Sequence, residues 1–119
     1  VPDGQDYLRR ENQGQGFYSC GWLFQPTIQF DFNQLFGWMT GLNMVRAKAV
    51  MNTNQGVYMF NAEEGVLSVK PLMLGEATEG EPEPEPELLD SRIELIDDKA
   101  MVLDELQAEL FGCRLANPT

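Results

Sequence analysis

The stretch Met44-Val45-Arg46-Ala47-Lys48-Ala49-Val50-Met51 decides the reading of this chain. With the two-residue period of a strand, Val45, Ala47, Ala49 and Met51 share one face, and Arg46 and Lys48 share the other. The first face is apolar and small enough for a helix to pack closely on it. The second sets two cations together in a chain of 119 residues that carries only eight Lys and Arg against nineteen Asp and Glu. Such a face must meet water, neighbouring carboxylates or another domain. Exposed ion pairs contribute little to stability, so the choice lies between a solvated sheet surface and a docking surface.

Working outward from that strand, Phe17 to Phe24 carries aromatic and apolar residues on both faces and suits a central strand, interrupted at Pro26 and continued by Ile28 to Phe30. Asp31 stands where a helix should start. Gln34 follows three residues later, and Phe30 with Leu35 can form a hydrophobic staple. Phe32, Leu35, Phe36, Met39 and Leu42 make one apolar stripe, Trp38 sits at its flank as a core-edge residue, and Gly41 can supply a left-handed closing residue. Beyond Met51, the cluster Asn52 to Gly56 and the connection Ala62 to Gly65 separate Val57 to Phe60 from Val66 to Lys70, which reads as an antiparallel meander. Ser91 to Ile96 alternates again, with Ile93 and Leu95 on one face and Arg92 and Glu94 on the other. Asp97 or Asp98 is placed to cap a final helix whose stripe is Val102, Leu103, Leu106, Leu110 and Cys113.

Two segments lack this patterning. Residues 1 to 16, rich in Gly, Gln, Asn and charge, read as a linker or an ordered arm. Residues 76 to 90 contain Glu-Pro-Glu-Pro-Glu-Pro-Glu and form an acidic insertion, whose Glu81 to Glu87 run would span about 20 Å as polyproline II. Residues 116 to 119 are a tail. The expected fold is therefore α+β: a mainly antiparallel four- to five-stranded sheet with two helices packed on one face, in a β-α-β-β-β-β-α order related to the ferredoxin-like fold.

Composition narrows the function classes. A net charge of −11 with a pI near 4.2 repels phosphate backbones and anionic lipid surfaces, so neither nucleic acid nor membrane is an expected partner. No apolar run approaches the ~20 residues of a membrane span. The opening residues have neither the basic patch nor the apolar run of a signal peptide, so a cytoplasmic location is expected. Histidine is absent, which removes the commonest general base and the commonest transition-metal ligand. Cys20 and Cys113 are far apart and suit neither a spaced metal site nor a disulfide framework; buried, reduced thiols are expected. No P-loop motif occurs, and the carboxylate pairs Glu63-Glu64 and Asp97-Asp98 adjoin turns or caps. A protein-binding module is favoured over a small carboxylate-based enzyme. The candidate partner-docking residues are Arg46, Lys48, Arg92 and Trp22, and no residue is assigned to catalysis, cofactor or metal. Trp22 with Tyr18 also raises self-association of a free-standing domain as an alternative.

Ser19 in the first strand, Phe30-Asp31 before a helix that ends in Leu42, and Val45-Arg46-Ala47-Lys48-Ala49 are followed by Ser91-Arg92-Ile93 and by Leu103, Leu106 and Leu110 in the closing helix. In this order and spacing, from Phe17 to Leu115, the chain resembles the CobW carboxy-terminal domain. That family typically reads Arg-x-Lys-Gly where this sequence has Arg46-Ala47-Lys48-Ala49, and its members often carry a His-rich segment that is missing here. The resemblance implies an accessory domain of a P-loop GTPase of the metallochaperone and cobalamin-synthesis group. It further implies that GTP and a divalent metal, zinc or cobalt, belong to the parent protein rather than to this domain. The implied partners are the GTPase domain of the parent chain and a client metalloprotein.

Overall fold

The computed structural model describes residues 1–72, 79–80 and 89–116. Its elements are β1 (Tyr7–Gly14), β2 (Phe17–Phe24), α1 (Phe32–Gly41), β3 (Arg46–Thr53), β4 (Gly56–Glu63), β5 (Val66–Pro71), β6 (Ser91–Asp97) and α2 (Leu103–Phe111). The strands form one six-stranded sheet in the order β1-β2-β6-β3-β4-β5, and every pairing in it is antiparallel. Two of its hairpins close through two-residue loops with positive φ at both positions, Gln15 (54°) with Gly16 (81°) and Glu64 (49°) with Gly65 (82°). That combination is the type I′ turn, whose twist matches the strands it joins.

The fold is α+β and antiparallel as expected, but the sheet has six strands rather than four or five. The additional strand is β1, which lies within the residues read as a linker or arm and pairs with β2 along its whole length. An edge strand has one neighbour, so it can be short of apolar residues. In β1, Glu11 to Gly14 are exposed, and its charged side chains discourage further pairing at the edge. Strand β6 sits between β2 and β3, so β2-α1-β3 is a β-α-β unit split by a strand that arrives late in the chain, which is the ferredoxin-like element of the topology. The acidic insertion, apart from Glu79, Gly80, Leu89 and Asp90, and the tail beyond Ala116 lie outside the described residues.

One face of the sheet carries the core. Trp22, Ile93, Ala49 and Phe60 are successive cross-strand partners and all are buried, as are Cys20, Leu95, Ala47 and Ala62 in the next row. Both helices cover this face. Phe32 of α1 packs on the rings of Tyr58 and Phe60, while Phe111 of α2 meets Tyr7 and Phe24 edge-on. Trp38 and Glu109 join the helices through an indole hydrogen bond of 3.0 Å. Small residues at Ala47 and Ala49 leave room for this layer, as the alternation predicts.

Asp31 caps α1 as expected, accepting the Gln34 N–H at 2.9 Å, and Leu35 and Met39 are buried beneath it. Gly41 is not a left-handed terminator: it belongs to the helix, and Leu42 turns the chain in extended conformation at the C-cap. Helix α2 differs more. Neither Asp97 nor Asp98 caps it, because β6 runs on to Asp97 and the helix begins only at Leu103, after a Val102 cap that makes no side-chain hydrogen bond. Asp97 instead accepts the Val45 N–H at 3.3 Å, and Asp104 and Glu105 meet the helix dipole in the first turn. Of the predicted stripe, Leu110 and Cys113 are buried, Leu103 and Leu106 are half-buried, and Val102 is 62% exposed.

Candidate protein-docking face

The other face of the sheet bears no helix among the described residues. The strand registers arrange its side chains in three rows that each cross all six strands. The first runs Leu8, Leu23, Arg92, Val50, Met59, Lys70; the second runs Arg10, Gly21, Glu94, Lys48, Asn61, Ser68; the third runs Asn12, Ser19, Ile96, Arg46, Glu63, Val66. The first row is mainly apolar, with Arg92 and Lys70 set into it, and the second is polar and charged around Gly21. A trough of about 1000 Å³, open to solvent, runs over it from β1 to β4. Gly21 contributes no side chain, so the second row is hollow at β2.

Charge is distributed unevenly between the two faces. Five of the eight cations, Arg10, Arg46, Lys48, Lys70 and Arg92, lie on the helix-free face, where the strands of the described residues add the carboxylates Glu63 and Glu94. Among the described residues none of the five forms an ion pair. The cations that do are elsewhere: Arg9 with Asp104 at 3.1 Å and Glu11 at 3.6 Å, and Arg114 with Asp6 at 3.6 Å. Fourteen of the nineteen carboxylates lie among the described residues, so the separation does not come from a shortage of acidic groups there. Two polar atoms on the same face, Arg46 Nε and Asn61 Oδ1, are buried without a hydrogen-bond partner among the described residues.

The structure thus brings together Arg46, Lys48 and Arg92, three of the four residues singled out from sequence. Trp22 must be corrected: it is 2% exposed, projects to the helix side and donates to Gln107 of α2, so it offers no docking surface. Its neighbour Tyr18 shares that side, and β2 is paired on both edges, which removes the basis for self-association through this strand. Sequence reading missed Arg10, Gly21 and Asn61. Arg10 was hidden because β1 has no apolar period, and the other two become visible only once cross-strand register is known.

The described residues do not fit a metal site, since no three His, Cys, Asp or Glu side chains converge on one point. The thiols are ill-suited to metal or nucleophilic chemistry: burial pushes Cys20 up to about 11, partly opposed by Arg9, and burial also raises Cys113. The carboxylate pairs serve local structure, with Glu64 in a type I′ turn and Asp97 holding the start of β3.

No family model matches the chain. No solved structure matches it. It is 30% identical over 116 residues to the zinc chaperone YeiR of Escherichia coli (strain K12), an alignment that covers 98% of this chain and 32% of that protein. The chain therefore spans about a third of the length of the curated relative it matches. No helix among the described residues is long and apolar enough to cross a membrane.

Proposed function

We propose that this chain is an accessory domain of the CobW carboxy-terminal type, belonging to a zinc-handling GTPase, and that it binds proteins rather than catalysing a reaction. The domain covers residues 17 to 115, and β1 from the preceding arm closes one edge of its sheet. Similarity to a zinc chaperone across nearly the whole chain favours zinc over cobalt as the metal carried by the parent protein. The metal and GTP are handled outside this domain, and its own task is to dock on the GTPase domain and help select the client metalloprotein.

The observation that carries this reading is a set of five cations that form no ion pair among the described residues, on a sheet face that bears no helix among them, in a chain whose net charge is −11. Such a face repels few acidic partners locally while the rest of the molecule repels them broadly, so association is confined to one orientation. An acidic surface on the GTPase domain is the expected counterpart. Titrating that domain with the wild-type chain and with Arg46→Glu/Lys48→Glu tests the reading. A loss of affinity of roughly ten-fold or more on charge reversal is expected, and unchanged affinity contradicts the role of the face.

A further inference from the structure

We infer that the trough on the helix-free face receives an acidic polypeptide segment bearing an apolar side chain, which seats over Gly21 while flanking carboxylates reach Arg10, Lys48 and Arg92. This deepens the docking reading above and rests on it. Three features of the face specify the occupant. The hollow at Gly21 lies beside half-buried Leu8 and Leu23, with Met59 46% exposed further along the trough, so its centre favours an apolar group over a hydrated anion. The cations around that centre, which pair with no carboxylate among the described residues, favour carboxylates in the occupant. Glu94 is the cross-strand partner of both Gly21 and Lys48, so it disfavours a carboxylate placed directly over the hollow and moves the acidic groups to its flanks.

Asn61 lies at the β4 end of the trough. It follows Lys48 in the second row and lines the trough, where its side-chain amide can pair with a peptide group of the occupant. From Leu8 on β1 to Asn61 on β4 the trough crosses five strands, about 19 Å at ordinary strand spacing, which is the length of roughly six extended residues.

The test is an amide-resolved NMR titration of the full chain with a blocked heptapeptide Glu-Asp-Glu-Leu-Glu-Asp-Glu, with the same peptide carrying Ser for Leu, and with one carrying Lys at every acidic position. The Leu peptide is expected to shift the backbone amides of Gly21, Leu23 and Lys48 and the Asn61 side-chain amide, the Ser peptide to bind about ten-fold more weakly, and the Lys peptide to leave these trough amides unshifted. Gly21→Leu fills the seat and is expected to lower affinity for the Leu peptide by about ten-fold or more. The variant should fold, because a Cβ at Gly21 meets only the Ile93 carbonyl oxygen, at 3.5 Å. Equal binding of Leu and Ser peptides, full affinity in Gly21→Leu, or no shifts at millimolar peptide overturns the inference. If Arg46→Glu/Lys48→Glu weakens binding to the GTPase domain while Gly21→Leu does not, the docking reading stands and the seat over Gly21 is refuted.

Discussion

Trp22 donates its indole N–H to the side-chain oxygen of Gln107 at 3.0 Å, tying strand β2 to helix α2. The same oxygen accepts from Arg9 at 3.0 Å, and Arg9 also reaches Asp104 at 3.1 Å, so one glutamine joins the edge strand, its neighbour and the helix. The largest side chain of β2 is thereby committed to the core, and the helix-free face is left to smaller and charged groups.

Gln107→Leu strands the Trp22 indole and one Arg9 N–H without an acceptor, and should destabilise the fold by about 1–3 kcal/mol. Gln107→Glu keeps an acceptor and should cost less. Urea unfolding followed by tryptophan fluorescence reads the difference; equal midpoints for wild type and Gln107→Leu would show that the bond is dispensable.

Asn52 lies at the end of β3 and is 5% exposed. Its backbone N–H donates to Ser91 Oγ at 2.8 Å, while its side-chain amide donates to the carbonyls of Pro26 and Leu89, so it fixes where β6 begins after the insertion. Asn52→Leu removes the donor to two half-buried carbonyls and should cost about 1–3 kcal/mol. Thermal unfolding tests this, and a melting temperature at or above that of the wild type would contradict it.

The acidic cap of α1 provides a milder probe. Asp31 accepts the Gln34 N–H at 2.9 Å and the Asn54 side-chain amide at 3.1 Å, linking the helix start to the β3–β4 turn. Asp31→Ala should lower stability by about 1 kcal/mol, and Asp31→Asn by less. A neutral effect of Asp31→Ala in chemical denaturation would assign the helix start to packing alone.

Stability should fall in alkali through the thiols. Burial raises Cys20 from an ordinary value near 9 to about 11, so between those values the unfolded chain has released a proton that the folded chain retains. Stability then decreases as pH rises, by up to about 1.4 kcal/mol per pH unit for this thiol, and below the ordinary value the thiol contributes no slope. Cys113 acts in the same direction. Urea midpoints compared near pH 8 and near pH 10 should converge when Cys20→Ala is compared with wild type at the higher pH. A wild-type pH slope that Cys20→Ala leaves unchanged would exclude this thiol as its source.

The elements most legible in the sequence were those whose burial imposes a period. Strand β3 declared itself through Ala47, Ala49 and Met51, and α1 through Asp31 and its stripe, because packing on one face leaves a repeating signature. Strand β1 did not, since an edge strand that buries little needs no such period. The start of α2 was misplaced for a different reason: an aspartate before a helix resembles a cap, yet Asp97 was already engaged with Val45. For the docking face, the cations of β3 and β6 were visible one strand at a time. Their union with Arg10 and Lys70, and the hollow at Gly21, depended on which strands become neighbours, and β6 reaches its place between β2 and β3 from the far end of the sequence.

The proposed function sets the helix-free face of the sheet against a GTPase domain, and amide chemical-shift mapping of the chain on addition of such a domain tests it most directly. The prediction is that shifts and line broadening gather on Lys48, Val50, Met59, Arg92 and Glu94, leaving Gln107 and the rest of α2 unchanged. Perturbations concentrated on α1 and α2, with the helix-free face silent, would contradict it.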